Sequence, residues 1–421
     1  MILLLLLGAS IGVFLLLCIM QLDLKLDAGL LLGFSLFFGF IGYTYKQVLP
    51  GSPLHLLWLL PLLPVVAAML TRPARAWGII RDPGVWLWFV FLLYGIVSVM
   101  WAAHDTVGLT KTAILIIRGI IPGIYIYLVY RRYGVFSWNS VLLMGMLYAA
   151  FHLAFGVHTL EYPGRLTMPG SNPIYDSRMS LLVVTIALWA KGIPLPLRLA
   201  AIGLSLVSAL ATQSRGPIIA LLLANLLVVG IVMLRRRRNG MPMMGRGWRR
   251  AMIGLSLIAA ALSVLYYGPL IQLVEGSRFN VLADSSQLKS DANYVGRLSL
   301  QAGAIEKFTE HPVLGSGLGG ITPPATQTFP HNIVLEIAAE LGLIGITLWS
   351  LAFAASCYAA RQHPMLLVML VQTLGYALIS GNLGSNYEYV LVAFTALAIN
   401  VKNKKEGATS GEYYRLPAHI V

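Results

Sequence analysis

The chain has 421 residues, of which 58% are hydrophobic and 11% are charged, and its formal net charge is +14. The apolar residues come in stretches of about 17 to 25, the length that spans a bilayer, so the composition predicts an all-α integral membrane protein and excludes a soluble domain of ordinary size. The positive charge does not indicate a nucleic-acid partner, because its densest part, residues 235–250, separates two apolar segments as a cytoplasmic loop does.

Apolar segments follow one another along nearly the whole chain, which predicts a single polytopic membrane domain over residues 1–421. The segments are 2–20, 28–44, 54–70, 85–103, 112–130, 136–155, 174–190, 196–212, 217–234, 251–268, 333–358, 364–381 and 386–400. Because the early segments are weakly separated, we expect about 12 transmembrane helices, or about 13 if every segment crosses the membrane. The N-terminus lies inside in the first case and outside in the second.

Basic residues assign a side to the ends of these segments, because cytoplasmic loops are rich in lysine and arginine. With the 235–250 loop placed inside, the other basic positions between segments fall inside as well. They are Arg72, Arg75, Arg81, Arg131, Arg132, Lys191, Arg198, Arg361, Lys402, Lys404 and Lys405. The tail at 402–421 is therefore predicted to be cytoplasmic.

The longest stretch between segments, residues 269–332, is predicted to face outward, and a loop of that length is usually functional. One part of it has apolar residues at helical spacing after a capping residue. The stripe is Val295, Leu298, Ala302 and Ile305, and the cap is Ser290 or Asp291. This pattern predicts a short amphipathic helix that lies on the membrane or over a cavity.

Three outward-facing helix starts share a pattern. Their sequences are "PGSNPIYDSR" (169–178), "TQSRGP" (212–217) and "TFPHN" (328–332). Each has a proline where a helix is expected to begin, a position at which the missing N–H is no loss. Helix N-termini present unpaired N–H groups and a partial positive charge, which suits them to phosphates and other anions.

Several arginines map to the outward side against the positive-inside bias, and they need a local reason to be there. They are Arg165, Arg178, Arg215, Arg278 and Arg297. An anionic ligand is one reason, because a guanidinium group binds phosphate oxygens with paired hydrogen bonds. The alternative is that they pair with acidic residues of the same loops, Glu161, Asp176, Glu275, Asp284, Asp291, Glu306 and Glu310. Arg178 and Arg215 fit this alternative least, since they lie at or within apolar segments.

His331 opens a membrane segment directly after the long outward loop. Near neutral pH an imidazole can accept a proton from a hydroxyl nucleophile, although a lone interfacial histidine more often caps or packs. Glu336 and Glu340 are four residues apart and share a helix face that diverges from His331. We therefore interpret the two glutamates as partners of other polar groups rather than of His331.

The sequence "GSGLGG" (315–320) satisfies a dinucleotide-binding pattern, but no strand precedes it, so we interpret it as a flexible turn that lets the outward loop fold back. No acidic pair has an obvious metal-binding spacing. We accordingly expect neither a metal nor a cofactor.

Two stretches, "EHPVLGSGLGG" (310–320) and "FPHNIVLEIAAELGLIGI" (329–346), resemble the signature of the bacterial O-antigen ligase and O-antigen polymerase superfamily. The motifs "GSNPI" with Arg178, "QSRGP" with Arg215 and "GRLSL" with Arg297 resemble its arginine-bearing motifs. The resemblance covers roughly residues 164–346. As a set, these motifs are specific.

The resemblance implies a membrane glycosyltransferase of the GT-C type in the bacterial inner membrane, without metal or nucleotide. Such an enzyme transfers a glycan from undecaprenyl diphosphate to a sugar hydroxyl of lipid A-core, on the periplasmic face. Carried over by motif, His331 is the general base, and Arg215 and Arg297 hold the diphosphate leaving group, with Arg178 as a third arginine. The 269–332 loop then lies in the periplasm and covers the active site.

The motifs do not separate the ligase cleanly from the polymerase, which uses the same donor but accepts a second lipid-linked glycan. The length of the outward loop disfavours an oligosaccharyltransferase that modifies proteins. A non-catalytic transporter of lipid-linked sugars is the alternative from another class. It predicts repeated halves and broken helices near the bilayer midplane, whereas the polar residues here cluster at one face.

Overall fold

The computed structural model describes residues 27–38, 82–240, 292–323 and 328–410, and this part of the chain is mostly helical. The helices are α1 (Ala28–Phe37), α2 (Pro83–Ser98), α3 (Asp105–Leu115), α4 (Ile121–Tyr133), α5 (Trp138–Phe155), α6 (Pro173–Trp189), α7 (Leu195–Ala211), α8 (Arg215–Arg238), α9 (Ala292–Glu310), α10 (Ile333–Ala360), α11 (Pro364–Ile379) and α12 (Glu388–Ser410). A 3-10 turn, Val99–Trp101, extends α2, and a π-helical turn, Ile116–Ile120, joins α3 to α4. Two short strands, β1 (Val157–His158) and β2 (Leu166–Thr167), pair antiparallel.

Most of these helices begin where the apolar segments begin, and polar residues cap them. The Asp82 carboxylate accepts a hydrogen bond from the Gly84 N–H at the start of α2 (2.9 Å), and the Asn172 side chain accepts one from Ile174 at the start of α6 (2.8 Å). A cap of this kind satisfies one of the donors that every helix start leaves open.

Two of the three prolines lie in the first turn of a helix, as predicted. Pro173 is the first residue of α6. Pro217 is the third residue of α8, which begins at Arg215, and Pro330 precedes the Asn332 cap of α10. The sequence pattern did not distinguish these positions because a proline is also tolerated in the chain just before a cap.

Five helical stretches in the described part are long and apolar enough to cross a membrane. They are Pro83–Trp101, Asp105–Tyr133, Trp138–Phe155, Arg215–Arg238 and Ile333–Ala360. Four shorter apolar helices accompany them: Ala28–Phe37, Leu195–Ala211, Pro364–Ile379 and Glu388–Asn400. The described part is therefore that of a multi-pass helical membrane protein, and the count of about 12 spans stays a prediction.

The centre of the bundle is formed by α6 and α12. Residues 179–184 of α6 and 389–398 of α12 are buried on every side of their helices. An all-apolar helix of this kind is stable only when other helices surround it. α6 packs on α5, α7, α8 and α11, and α12 packs on α4, α10 and α11.

Short loops join most of the consecutive helices, so neighbouring helices run in opposite directions and their loops lie at two opposite ends of the bundle. These two ends differ chemically. The basic end carries the cationic loops. Its residues are Arg131, Arg132, Lys191, Arg198, Arg235, Arg236, Arg237, Arg238 and Arg361. The opposite end, which we call the site end, carries the starts of α6, α8, α10 and α12 and the end of α11.

α10 is broken at Gly342, whose φ of 63° and ψ of −163° are not helical. The turn that follows α9 fills the break: the N–H of Leu343 donates to the Pro312 carbonyl (2.8 Å), and the N–H of Gly317 donates to the Glu340 carbonyl (2.8 Å). These bonds satisfy groups that a broken membrane helix would otherwise leave open. The sequence pattern did not reveal the break because the apolar run is continuous.

The turn expected at 315–320 is present, but it is tightly packed rather than flexible. Gly315, Gly317 and Gly319 are buried, and a Cβ at Gly315 would lie 2.3 Å from the Glu340 carbonyl oxygen. Gly315 also has a φ of 74°, a conformation that favours glycine. These glycines therefore permit a close approach of two backbones, and they fix the turn rather than loosen it.

α9 is amphipathic as predicted, but its apolar stripe faces away from the protein. Val295, Leu298 and Ile305 are about half exposed, while Ala304 is buried against the bundle. The inner face of α9 carries Arg297. The expected cap at Ser290 or Asp291, like Arg278, the segments 2–20, 54–70 and 251–268, most of the 235–250 loop and the tail from 411, lies outside the described residues.

Candidate functional site

His331 lies at the site end in an unusual backbone conformation. Its φ is 52°, and Gln213, two residues before α8, is the other described non-glycine residue with a positive φ. Asn332 follows as the cap of α10, and its side chain accepts hydrogen bonds from the N–H groups of Val334 (3.0 Å) and Leu335 (3.2 Å). A left-handed residue of this kind costs about 1 to 2 kcal/mol, and such strain clusters at functional sites.

The His331 imidazole is half-buried and packs against Phe329, with ring centroids 4.5 Å apart. Burial, followed by the positive charges of Arg297 and Arg178, lowers the pKa of His331 to about 4. The ring is therefore neutral at physiological pH. Its Nδ1 atom is buried without a hydrogen-bond partner among the described residues, so no described protein group engages this nitrogen.

Arg297 reaches the site from α9. Its Nη1 donates to the Ile379 carbonyl at the end of α11 (3.1 Å). One turn along α9, Gln301 Nε2 lies 3.4 Å from the Pro330 carbonyl, next to His331. α9 therefore lies against both the end of α11 and the start of α10.

Arg178 reaches the same end of α11 from α6, and its contacts are those of a structural residue. Its Nη2 donates to the carbonyls of Tyr376 (2.8 Å) and Ser380 (2.7 Å), and its Nη1 donates to Asn386 Oδ1 (2.8 Å). Glu388 Oε1 lies 3.5 Å from Nη1. The guanidinium group is buried, and it caps the last turn of α11.

Arg215 is the first residue of α8 and is half-buried. Its neighbour Gly216 packs against α11, where a Cβ would lie 2.6 Å from Cδ1 of Ile379. The chain before Arg215 is held by Arg165, whose Nε donates to the Thr212 carbonyl (2.8 Å) and whose Nη2 donates to Ser214 Oγ (2.7 Å). Arg165 thus supports this loop.

Arg178, Arg297 and the first turn of α8, which carries Arg215, meet at the C-terminal end of α11, Ile379–Ser380. Arg297 and Arg178 bind the backbone there, and Gly216, next to Arg215, packs on the Ile379 side chain. His331 lies within the electrostatic reach of Arg297 and Arg178. Of the acidic residues that sequence reasoning offered as partners of the outward arginines, Asp176 binds neutral groups and Glu310 pairs with Lys307.

Sequence reasoning missed two charged residues, Lys111 and Arg118, although a charge at the edge of or within an apolar segment is a signal for them. Lys111 binds Glu336 (2.6 Å) and Glu340 (2.8 Å), which confirms that these glutamates pair with another polar group. Arg118, in the π-helical turn, is buried with its guanidinium carbon 5.6 Å from the centre of the Tyr387 ring.

A second histidine cluster, also missed, lies within the bundle. His152 Nδ1 is 2.7 Å from Ser208 Oγ, and His152 Nε2 is 3.9 Å from Asp176 Oδ2. Asp176 accepts hydrogen bonds from the side chains of Tyr148, Thr167 and Ser171 and from the N–H of Met168. His152, Asp176 and Ser208 have no exposed surface, so no substrate reaches this serine, histidine and aspartate.

The fold and the site end define a helical membrane protein with a neutral histidine and several arginines gathered at one end of the bundle. A family model described as O-antigen ligase matches residues 200–350. The match confirms the resemblance of this region to the O-antigen ligase family. It includes Arg215, Arg297 and His331 but not Arg178. A comparison with curated proteins finds no match.

Proposed function

We propose that the protein is a glycosyltransferase that ligates O-antigen polysaccharide from undecaprenyl diphosphate onto a sugar hydroxyl of lipid A-core. The family match supports a function of the O-antigen ligase or polymerase type, with a lipid-linked glycan and a lipid acceptor as general substrates. The observation that carries the proposal is that Arg297 and the start of α8 meet at the end of α11, with His331 within the electrostatic reach of Arg297.

In the proposed reaction, the acceptor hydroxyl oxygen attacks the anomeric carbon of the glycan, and the bond from that carbon to the diphosphate oxygen breaks. Neutral His331 takes the hydroxyl proton, a role worth about a hundred- to ten-thousand-fold in rate. The electron pair leaves with undecaprenyl diphosphate. A single displacement of this kind inverts the anomeric configuration, and it involves no metal ion.

The departing diphosphate gains negative charge as the bond breaks, and cationic groups stabilise that charge. We assign direct contacts to Arg215 and Arg297. The N-terminus of α8, which begins at Arg215, adds a partial positive charge and unpaired N–H groups. Arg178 is the third arginine of the proposal, and because its Nη atoms already donate to protein groups, we assign it a contribution through charge.

The distribution of charge between the two ends of the bundle supports a proposed placement in the membrane. Cationic loops remain on the cytoplasmic side of a bacterial inner membrane, so the basic end lies inside. The site end then faces the periplasm. The 269–332 loop contributes Arg297 and the residues before His331, and we propose that it covers the active site from that side.

The polymerase remains the nearest rival, since the same residues serve a second lipid-linked glycan as acceptor. The break in α10 is one feature that a transporter of lipid-linked sugars predicts. The turn at 312–317 already satisfies the backbone groups at this break, and the charged residues gather at the site end. These observations favour a transferase over a transporter.

Purified protein tests the proposal with undecaprenyl diphosphate-linked glycan, rough lipopolysaccharide and EDTA. His331→Ala is the inactive variant, and His311→Ala is its matched control, because His311 is exposed in the turn after α9. Ligated lipopolysaccharide that forms with His311→Ala but not with His331→Ala supports the ligase. Elongated lipid-linked glycan identifies the polymerase, and glycan movement across the bilayer without a new bond identifies the transporter.

A further inference from the structure

A buried ion cluster lies beside the first turns of α10. Lys111 Nζ from α3 donates to Glu336 Oε1 (2.6 Å), to Glu340 Oε1 (2.8 Å) and to Thr322 Oγ1 (3.1 Å). All of these side chains are at most 3% exposed. One ammonium group thus joins α3, α10 and the end of the glycine-rich turn.

The cluster also reaches the loop between α11 and α12. The second carboxylate oxygen of Glu336 accepts a hydrogen bond from the Leu383 N–H (2.9 Å). The next residue, Gly384, packs so closely on α3 that a Cβ would lie 2.6 Å from the Lys111 carbonyl oxygen. The position of this loop is therefore tied to Lys111 through both its backbone and the Glu336 carboxylate.

Both parts that the cluster joins lead directly to the candidate site. The Glu336 N–H donates to the carbonyl of Asn332 (2.9 Å), the residue that caps α10 and follows His331. On the other side, Arg178 binds Ser380 and Asn386, which begin and end the loop that carries Leu383. The spacing between His331 and Arg178 thus depends on two elements that Lys111 holds together.

The energetics favour a role in geometry over a role in overall stability. Removing charges from water costs several kcal/mol per ion, and a buried ion cluster of this kind is often no more stabilising than apolar packing of equal volume. Its bonds are directional, however, and they specify one arrangement of the segments that they join. An apolar contact would permit neighbouring arrangements of the first turn of α10.

We propose that Lys111 is a positioning residue, which holds the first turn of α10 in the register that places His331 beside Arg297 and Arg178. This inference rests on the proposed function for its catalytic meaning. Displacement of a reacting group by about 1 Å costs about 100-fold in rate, so the loss of Lys111 is expected to lower kcat by about that factor. KM for the lipid-linked donor is expected to change little.

A substrate-free measurement tests the placement itself. Diethylpyrocarbonate modifies neutral imidazoles, and mass spectrometry of the His331 peptide as a function of pH reports how much of the ring is neutral. The variants are Lys111→Met, the conservative Lys111→Arg and the control Lys191→Met, in which an exposed lysine at the basic end is changed. Exposed His311 in the same samples is the internal reference.

We expect the midpoint of His331 modification to move to higher pH in Lys111→Met, because the ring moves away from the two arginines. Lys111→Arg is expected to restore part of the difference, and Lys191→Met is expected to match the parent protein. A Lys111→Met protein that is less stable but keeps the parent midpoint would show a purely structural role and overturn the proposal. If Lys111→Met does not fold, Glu340→Gln removes one of the two ion pairs of Lys111. An unchanged midpoint of His331 modification in Glu340→Gln would likewise overturn the proposal.

The outcome separates this proposal from the proposed function. If the midpoint of His331 modification changes in Lys111→Met but the protein has no transferase activity, the positioning role is supported and the proposed enzymatic function is rejected. Transferase activity that depends on His331, together with a midpoint and kcat indifferent to Lys111, supports the enzyme and rejects the positioning role.

Discussion

The surroundings of His152 and His331 differ in how the hydrogen-bonding groups of each histidine are satisfied. Around His152, Asp176 accepts bonds from four groups, both ring nitrogens have partners, and no atom of either residue is exposed. Around His331, the ring is half-buried, its Nδ1 atom has no partner among the described residues, and the backbone is left-handed.

This difference teaches that the composition of a cluster does not identify a site. A satisfied buried network rigidifies a fold, and it has nothing left to offer a substrate. A polar group that is held in strain without a partner has been placed there at a cost in stability. The His331 region has these features, and the His152 region has the opposite ones.

The largest expected effect is the loss of transfer in His331→Ala. Removal of a general base is expected to lower kcat by about a hundred- to ten-thousand-fold, while the protein still folds and inserts. The measurement is single-turnover ligation, with size-exclusion chromatography in detergent as the check on folding. Activity within about tenfold of the parent would show that His331 is not the base.

Arg297→Gln is expected to weaken use of the lipid-linked donor. A charge-assisted hydrogen bond contributes about 1.5 to 3 kcal/mol, so kcat/KM for the donor should fall by about 10- to 150-fold. The control is Arg198→Gln, which changes an arginine at the basic end, where it binds the Ala190 carbonyl. Equal losses in the two variants would contradict a specific role for Arg297.

Asp176→Asn is expected to affect folding rather than chemistry. An asparagine amide would face donors such as Thr167 Oγ1 and the Met168 N–H, which leaves buried groups unsatisfied at about 1 to 3 kcal/mol each. Thermal unfolding in detergent should show the lower stability. The kcat of the folded fraction should stay within about threefold of the parent, and a larger fall would indicate that the His152 cluster takes part in catalysis.

The smallest effect concerns pH. Because the pKa of His331 is lowered to about 4, kcat/KM should stay level from neutral pH down to the region of that value and fall below it. A histidine with an ordinary pKa would lose activity near pH 6.5. In Arg297→Gln the fall of kcat/KM at acidic pH should move to higher pH, because one of the positive charges that lower the pKa of His331 is removed. The free energy of unfolding should depend on pH in the same direction. As the pH falls, His331 is protonated in the unfolded chain before it is protonated in the folded one, so the free energy of unfolding declines between the ordinary histidine pKa and about 4.

Much of the fold follows from local patterns in the sequence. Apolar runs of membrane-spanning length predict most helix starts within a few residues. The place of His331 at the start of α10 follows in the same way. Local patterns suffice here because helix caps and burial in lipid act over a few residues.

Contacts between residues that are far apart in the sequence could not be predicted from it. Lys111 and Glu336 are 225 residues apart, and the backbone acceptors of Arg178 lie about 200 residues away. Sequence patterns also gave no sign that Gly342 breaks α10, since the turn that fills the break comes from another segment. An arginine in an apolar segment indicates a partner, but only the packed structure distinguishes a carbonyl at a helix end from a substrate phosphate.

The central claim is that the site end holds a neutral imidazole together with cations that bind a diphosphate. An experimental structure with undecaprenyl diphosphate bound tests it most directly. We predict phosphate oxygens within about 3 Å of Arg215 and Arg297, with the His331 ring facing the bound diphosphate. A diphosphate bound at the basic end, or a His331 ring turned away from it, would contradict this account.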